Sequence, residues 1–318
     1  MNLLASFRYL VALDEHKHFG RAALACHITQ PALSNALRAL EEEFGCAIVI
    51  RGRSFGGFTP EGERVLLSAQ RMLHERELLQ QDLSSVVGQP QGCLMIGSVP
   101  TAVPIAARFA GMLQARQPGI APVVRSMSSA ELENGLESLS LDMGLGYTDR
   151  LARYSPRLRH VPQYIEQYFL VRRAAVAQPG GVMKRGEGIS WAEASALPLC
   201  LLSREMHNRS LMEAAFSQVG AVVKPAIETN SILTLVLSVS VGEVCGIVPG
   251  ALVVAMRGYP ELEALPLLAP DVRTPIGFMV QAGDRTSRAL DAAMRLAQDP
   301  LWLQHAAAHG GLPDRRCP

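Results

Sequence analysis

The sequence predicts an α+β multidomain chain, and three features of its 318 residues carry that prediction. Short helical periodicities and a glycine-rich hairpin fill residues 1–60, and one uninterrupted helical stretch follows in residues 61–88. After a Gly-Gln-Pro-Gln-Gly break, apolar strands alternate with helices. Such distinct patterns indicate separate domains. The apolar content of 48% allows a sizeable core, and the net charge of +1 gives no sign of membrane binding.

A short helix that packs against its neighbours is predicted from about residue 19. Its small and apolar side chains recur at helical spacing on one face: Phe19, Ala22, Ala23 and Cys26. A second helix begins after Thr29, because Gln30-Pro31 places proline in a first turn, where its missing N–H has no partner to lose. The spacing therefore predicts a helix-turn-helix.

The second helix has an apolar stripe and a polar face. The stripe follows steps of four, three and four residues: Leu33, Leu37, Leu40 and Phe44. The polar face carries Gln30, Ser34, Asn35 and Arg38. These side-chain types bond to base edges and phosphates when a helix enters the major groove, so the face is predicted to bind double-stranded DNA. A merely solvated helix face is the alternative interpretation.

A hairpin is predicted between residues 48 and 60, where glycines interrupt two strand-like stretches. Arg51 and Arg53 would reach phosphates from its tip. With an amphipathic helix ahead of the pair, residues 1–60 are predicted to form a winged helix-turn-helix domain. Residues 1–88 hold nine Lys or Arg against ten Asp or Glu. DNA binding must then depend on where cations such as Arg21 lie and on two copies acting together.

The stretch 61–88 is predicted to form one long linker helix. Positions at alternating steps of four and three residues form a seam: Val65, Ala69, Met72, Arg76, Leu79, Leu83 and Val86. A period of 3.5 residues keeps such a seam against a partner helix, which predicts a homodimer. A lone surface helix packed on the next domain is the alternative.

Strand–helix–strand alternation beyond residue 92 predicts parallel sheet in two α/β lobes. Lobe I is assigned to residues 89–163 and 268–300, and lobe II to residues 164–267, with residues 301–318 as a C-terminal tail. Periplasmic binding proteins share this two-lobed architecture, which places a ligand in the cleft between the lobes.

Hydroxyl side chains follow the strand ends that would face this cleft. The predicted effector-binding residues include Ser98, Val99, Thr101, Ser128, Ser129, Ser203 and Thr229. Helix N-termini at such strand ends attract anions. Arg204, His207 and Arg209 follow Ser203 and would suit a carboxylate, so a small organic anion is predicted as effector. Each hydroxyl could instead cap its helix, and the arginines could be solvated surface charges.

Four motifs occur together in the first 65 residues: Arg21-Ala22-Ala23-Leu24-Ala25, Thr29-Gln30-Pro31-Ala32-Leu33-Ser34, Leu40-Glu41 and Thr59-Pro60-Glu61-Gly62. With these motifs the chain resembles LysR-type transcriptional regulators. The resemblance implies a homodimer or homotetramer on a pseudo-palindromic operator of a metabolic operon, acting as activator or repressor, with RNA polymerase a further partner to consider. It also implies a small effector in the cleft, with the usual contact positions at Ser98, Thr101, Ser128, Ser203 and Thr229.

Other function classes find less support in the sequence. The six cysteines form no Cys-x-x-Cys and the eight histidines no ligand spacing, so neither metal nor cofactor is expected. No nucleophile elbow or phosphate loop is visible, so no enzyme is expected. Thiol-based redox sensing is the alternative function, because Cys200 and Cys245 both lie in lobe II and some family members sense oxidants through a cysteine pair there. Without a long apolar run or signal peptide, the expected location is cytoplasmic.

Overall fold

The computed structural model describes residues 2–52, 54–84, 90–151, 157–175, 181–282 and 286–310. These residues fall into two compact units. One contains the described residues up to 84 together with 138–140, and the other contains the remaining described residues from 90 onward. Among the described helices, none has the length and apolar character needed to cross a membrane.

Four helices and a hairpin build the N-terminal unit. In chain order they are α1 (Leu3–His16), α2 (Phe19–Ala25), α3 (Gln30–Phe44), β1 (Val49–Arg51), β2 (Phe55–Phe58) and α4 (Pro60–Ser84). The two strands pair antiparallel. The predicted winged helix-turn-helix and linker helix are confirmed.

The core of this unit lies between α1, α2, α3 and the beginning of α4. Leu33, Leu37 and Leu40 are fully buried, as their spacing predicts. Phe44 was predicted for the same stripe but is 45% exposed. It lies in the last turn of α3, at the edge of the core, and its ring stacks on Phe7 with 6.4 Å between centroids.

The hairpin packs directly on the first turn of α4. The Thr59 hydroxyl donates to the Ala47 carbonyl oxygen at 2.6 Å and accepts the Gly62 N–H at 2.9 Å, which fastens the beginning of α4 to the approach of β1. A Cβ atom on Gly62 would lie 2.1 Å from the carbonyl oxygen of Ile48. Only glycine allows this approach of two backbones.

One mixed sheet organises the second unit. Its strands are β3 (Gly92–Ser98), β4 (Ile120–Ser126), β5 (Met143–Tyr147), β6 (Leu158–Arg173), β7 (Lys184–Arg185), β8 (Ile189–Ser190), β9 (Leu199–Leu202), β10 (Ile227–Thr229), β11 (Cys245–Pro249), β12 (Leu262–Leu268) and β13 (Arg273–Gln281). The helices are α5 (Val103–Arg116), α6 (Ser129–Glu137), α7 (Trp191–Ser195), α8 (His207–Gln218), α9 (Ile232–Val241), α10 (Gly250–Ala255), α11 (Arg288–Ala297) and α12 (Pro300–Gly310), and a 3-10 turn covers Pro100–Ala102.

The strands follow the order β10-β9-β11-β6-β13-β5-β3-β4. The predicted parallel pairing holds for β3 with β4 and β5, and for β9 with β10 and β11. By contrast, β6 runs antiparallel to β11, β12 and β13. Its 16 residues pair with β13 over the first part and with β11 and β12 over the second. We call β3, β4, β5 and β13 the first half of the sheet, and β9, β10, β11 and β12 the second half.

The first half has a core in which Phe109 contacts the rings of Phe278 and Trp302, at 4.4 Å and 5.0 Å between centroids. Trp302 is fully buried and belongs to α12. Residues 301–310 are therefore a packed helix and not the tail that the sequence predicted, because Asp299 accepts the first N–H groups of this helix and Trp302 anchors it. The predicted tail beyond residue 310 lies outside the described residues.

Gly62→Ala is predicted to destabilise the N-terminal unit, because the added methyl group meets a backbone carbonyl that the hairpin pairing holds in place. Overpacking of this kind typically costs about 1–3 kcal/mol. Thermal unfolding of the full chain, followed by circular dichroism, should show a lower midpoint. The matched control is Gly111→Ala in α5, where a Cβ atom has no neighbour within 4 Å. That change should leave stability unaltered or raise it slightly, and equal effects of both changes would contradict the proposed contact.

Candidate nucleic-acid interface and effector cleft

The predicted DNA-binding residues of α3 present polar groups on the side opposite its buried leucines. Their side chains are exposed or half-buried: Gln30, Ser34, Asn35 and Arg38. Arg38 Nη1 donates to Asn35 Oδ1 at 3.4 Å, so these two groups lie side by side. Thr29 caps α3 by accepting the Ala32 N–H, and Pro31 lies in the first turn. Arg21 is exposed on α2.

Arg51 has an internal partner. Its Nη2 lies 2.7 Å from Glu41 Oε2, while Glu41 Oε1 accepts the N–H groups of Ile48 and Val49 at 2.9 Å and 3.0 Å. Glu41 therefore fastens the hairpin to α3, and the predicted phosphate contact of Arg51 would have to compete with this pair. Arg53 lies outside the described residues.

The predicted seam of the linker helix α4 has a buried part and an exposed part. Val65 and Ala69 pack on the core of the N-terminal unit. Further along, seam residues at intervals of seven and four are exposed to 49%, 50% and 78%: Met72, Leu79 and Leu83. An exposed apolar stripe at coiled-coil spacing indicates a surface that another helix can cover. Val86 lies outside the described residues.

The cleft-facing residues of the first half lie at the carboxyl ends of β3, β4 and β5. The Ser98 carbonyl accepts the Met127 N–H at 2.9 Å, and the Val99 N–H donates to the Leu145 carbonyl at 3.0 Å. All five predicted residues of this half are buried: Ser98, Val99, Thr101, Ser128 and Ser129.

Ser128 and Ser129 have different roles at the N-terminus of α6. Ser128 exchanges hydrogen bonds with Glu131, since its N–H donates to Oε2 and its Oγ accepts the Glu131 N–H. This is the capping role that the sequence left open. Ser129 Oγ is buried and has no hydrogen-bond partner in the described part of the chain.

In the second half, Ser203 and Thr229 lie next to each other at the ends of β9 and β10. The Ser203 N–H donates to the Thr229 carbonyl at 2.9 Å. Ser203 Oγ donates to Glu205 Oε1 at 2.5 Å, and Thr229 Oγ1 accepts the Ser231 N–H at 3.1 Å. Both hydroxyls are therefore engaged within their own half.

Arg209, which was predicted to contact the effector, is engaged by partners within the second half. Its side chain is only 1% exposed. Its nitrogens donate to Glu213 Oε1 at 2.9 Å, to the Leu202 carbonyl at 3.1 Å and to Glu228 Oε2 at 3.2 Å. A buried guanidinium with these partners holds α8 against β9 and β10. Arg204 is 79% exposed, 3.9 Å from Glu213.

Arg150 and Tyr147, which the sequence analysis missed, connect the two halves at His207. Arg150 Nε and Nη2 donate to Glu133 of α6 at 2.8 Å and 3.4 Å, and Nη1 lies 3.1 Å from His207 Nδ1. The Tyr147 ring meets the His207 ring edge-on at 4.9 Å, and its hydroxyl lies 2.9 Å from Thr101 Oγ1. Tyr147 is the last residue of β5 and Arg150 follows it, so the rule that found the other strand-end residues could have found them.

The contact with Arg150 determines the protonation of His207. A guanidinium only donates, so Nδ1 must accept and the ring proton lies on Nε2. Burial, followed by the charge of Arg150, lowers the pKa of His207 and keeps the ring neutral, although Asp149 and Glu133 oppose this shift.

Three buried polar atoms near this contact make no hydrogen bond of normal geometry among the described residues: Ser129 Oγ, His207 Nε2 and Asn208 Nδ2. The Asn208 side chain does interact with the Tyr147 hydroxyl and lowers the pKa of that phenol. All three atoms can donate. Ser129 lies in the first turn of α6 in the first half, and His207 and Asn208 lie in the first turn of α8 in the second half. Unpaired buried donors are costly, so they mark a place where a ligand with acceptor atoms would gain hydrogen bonds. A cavity of about 570 Å³ opens between the halves beside Pro100, Ser126 and Ser231, and none of the three unpaired atoms belongs to its lining.

Glu166 lies on β6, close enough to Tyr147 to influence its pKa, and is fully buried. Tyr168 donates to its Oε2 at 3.1 Å and lies 3.2 Å from Thr274 Oγ1 on β13. Burial raises the pKa of Glu166 to about 8, while the hydroxyls of Tyr168, Thr101 and Tyr164 oppose the shift. The carboxyl group is therefore protonated at neutral pH.

Cys200 and Cys245 lie on the neighbouring strands β9 and β11, with Cys245 opposite Leu199 and Cys200 opposite Gly246. Cys200 packs in the cluster on one face of the sheet and Cys245 in the cluster on the other. Their side chains point apart, so no disulfide can join them in this sheet. Burial raises the pKa of both thiols. In the described part of the chain, no cluster of His, Cys, Asp or Glu could hold a metal ion.

A winged helix-turn-helix followed by a two-part α/β domain with a polar cleft defines a class of protein, the DNA-binding regulators that respond to a small ligand. Two family models match the chain: the bacterial regulatory helix-turn-helix protein of the lysR family over residues 4–63, and the LysR substrate binding domain over residues 88–301. The chain belongs to the LysR family of transcriptional regulators.

Individual relatives agree with this assignment. The dual regulator OxyR of Escherichia coli K12 is 27% identical over 289 residues, which cover 88% of this chain and 90% of that protein. A full-length OxyR variant from Pseudomonas aeruginosa superposes with a TM-score of 0.65 at 22% identity, covering 93% of this chain and 97% of that one. CbnR in complex with its target DNA gives a TM-score of 0.63 at 18% identity, covering 96% and 99%. At these identities the two structures show a common fold.

Glu166→Gln is predicted to flatten the pH dependence of stability. The folded chain keeps the proton of Glu166 up to about pH 8, whereas the unfolded chain loses it at about pH 4.3. Between these values the folded state binds more protons, so the free energy of unfolding falls as the pH rises. One such proton contributes a slope of about 1.4 kcal/mol per pH unit.

Chemical denaturation from about pH 5 to about pH 8 would measure this slope. Tryptophan fluorescence reports the second unit alone, because both tryptophans of the chain, Trp191 and Trp302, lie there. The control Glu243→Gln changes an exposed carboxylate and should keep the original slope. Equal slopes in the original chain and Glu166→Gln would show that Glu166 is ionised in the folded state.

Proposed function

We propose that this regulator controls a metabolic operon as a homodimer or homotetramer on a pseudo-palindromic operator, and that its effector is a small organic anion of the carboxylate type. The observation that carries the effector proposal is the set of unpaired buried donors beside Arg150. A ligand that fills the cleft would bind one arrangement of the two halves better than another, and this difference in affinity would shift the regulator between two states.

The DNA-binding part of the proposal rests on α3. Gln30, Asn35 and Arg38 are exposed on the face opposite the core, and these residue types bond to base edges in the major groove. The N-terminal unit has no excess of cations, so affinity has to come from a small number of placed contacts made twice. The exposed stripe Met72, Leu79 and Leu83 supplies the surface for pairing two α4 helices.

The effector class follows from the chemistry of the unpaired atoms. Ser129 Oγ and Asn208 Nδ2 can donate, and His207 Nε2 carries a proton because Arg150 occupies Nδ1. A carboxylate offers acceptor oxygens only and matches such a set. It would also lie close to the guanidinium of Arg150 and to the N-termini of α6 and α8, which favour negative charge.

Thiol-based redox sensing is the second candidate, because the relatives named as hydrogen peroxide-inducible activators favour it. The thiols of this chain favour it less. Cys200 and Cys245 lie on opposite faces of the sheet, and burial raises their pKa and keeps them in the less reactive thiol form.

Arg38→Ala is predicted to weaken specific DNA binding, because it removes both a base-reading guanidinium and the partner of Asn35. A bidentate base contact is worth about 1–3 kcal/mol, and a dimer loses it in each half-site. The measurement is gel retardation on duplexes that the original protein selects from a random library. Arg71→Ala, which removes an exposed arginine of α4, is the control and should bind nearly as before. Unchanged affinity in Arg38→Ala would refute the docking of α3.

Ser129→Ala is predicted to abolish the response to effector while leaving the unliganded fold intact, because the hydroxyl has no internal bond to lose. The measurement is a thermal-shift screen of the full chain against carboxylates, inorganic anions, phosphorylated metabolites and aromatic acids. A ligand at 100 times its dissociation constant should stabilise the original chain by about 2.7 kcal/mol.

The matched control for this screen is Ser217→Ala, which changes an exposed serine further along α8 and should respond like the original chain. A shift of equal size in Ser129→Ala would place the effector elsewhere. If no compound shifts the midpoint, but hydrogen peroxide changes DNA retardation and dithiothreitol reverses the change, thiol sensing replaces the anion proposal.

A further inference from the structure

A second cavity lies in the second half of the sheet, in the angle between β7 and α10. Its volume is about 370 Å³, within the range of small-molecule sites. Apolar side chains make up most of the lining: Phe169, Val182, Met183, Val253, Val254 and Ala264. Phe169 and Ala264 are almost completely buried and form the floor.

Main-chain pairing fixes the walls of this cavity. β7 pairs with β12 in a register that places Arg185 opposite Ala264, and the Met183 N–H donates to the Arg257 carbonyl at 2.9 Å. The residues just before β7 are thereby joined to the residues that follow α10. The cavity is a built feature of the fold, since both walls are tied to the sheet or to each other.

No carboxylate is part of the lining of this cavity. Three cations surround it: Lys184, Arg185 and Arg257. Lys184 Nζ lies 4.0 Å from Glu263, which is already paired with Arg172 at 2.7 Å. Among the described residues, neither Arg185 nor Arg257 has a carboxylate within salt-bridge distance. An apolar floor below unpaired guanidinium groups is complementary to an apolar body that ends in an anion.

We propose that this cavity is a second ligand site, separate from the effector cleft, which binds an amphipathic carboxylate such as a medium-chain fatty acid. The chain or ring of the ligand lies against Phe169, Val253 and Val254, and the carboxylate meets Arg185 and Arg257. A compact inorganic anion would gain little from the apolar lining, and a neutral alcohol would leave the guanidinium groups without an acceptor.

The position of α10 gives this site a route to the effector cleft. Ala251 belongs to the core of the first half, whereas Leu252 belongs to a core of the second half, so one short helix packs into both. The same helix contacts the 3-10 turn Pro100–Ala102, which carries Thr101. A ligand that pushes on Val253 or Val254 therefore acts on an element that both halves share.

Isothermal titration of the full chain with octanoate tests the site. Octanoate should bind, and 1-octanol and inorganic phosphate should bind much more weakly. The double variant Arg185→Ala/Arg257→Ala should bind octanoate at least about tenfold more weakly, since each change removes a charged hydrogen-bond donor. Val253→Trp fills the cavity and should have the same effect without a change of charge. The control Lys224→Ala removes an exposed cation outside the cavity and should leave binding unchanged.

Ser129→Ala separates this site from the effector cleft, because octanoate binding should survive that change. The proposal is overturned if octanoate does not bind, if the cavity variants bind it like the original chain, or if Ser129→Ala loses it while the arginine variants keep it. The first two outcomes leave the effector proposal untouched, since that proposal rests on a different cluster of residues. Circular dichroism of each variant shows whether the fold is retained.

Discussion

The antiparallel ladder of β6 with β13 is the constraint on which the second unit depends. β6 is 16 residues long and pairs first with β13 and then with β11 and β12, so one strand belongs to both halves of the sheet. The parallel strands of the two halves lie on either side of it, β11 directly and β5 beyond β13, which brings helix N-termini from both halves to a common cleft. Glu166 lies in the middle of β6 and meets Thr274 of β13, so the acid occupies the connection itself. Any change in the angle between the halves must act on this strand.

Local patterns predicted the local structure of this chain well. The leucine stripe of α3 is buried, and proline in its first turn marks the beginning of the helix, because both depend only on helical spacing and capping. The continuity of β6 and its antiparallel pairing with β13 were beyond such patterns, since they depend on partners more than 100 residues away, such as Arg273 opposite Gln167. Residues 301–310 were mistaken for a tail because α12 contains few large apolar residues, although Trp302 anchors it against Phe109.

Charge was the least reliable guide to the site. Arg209 and Arg51 look like free cations in the sequence, but Arg51 is paired with Glu41 of α3, and Arg209 with Glu213 of its own helix and Glu228 of β10. A buried guanidinium without such partners would destabilise the protein, so a fold recruits carboxylates for it whether or not a ligand exists. Ser129 and Asn208 show the reverse case. They look like ordinary polar residues, and only the structure reveals that their buried donor atoms make no hydrogen bond of normal geometry in the described part of the chain. For the proposed effector site, unsatisfied atoms are therefore a better guide than charge.

Likeness to peroxide-responsive regulators establishes a scaffold and leaves its chemistry to be decided by side chains. A thiol switch needs a cysteine that can ionise and a second sulfur within reach. Alternation along β9 and β11 sends Cys200 and Cys245 to opposite faces of the sheet, so joining them would require these strands to separate. A ligand switch needs less, because donors already held by α6 and α8 can close on an anion without breaking the sheet. The proposed ligand switch therefore requires a smaller structural change in this cleft than a thiol switch would.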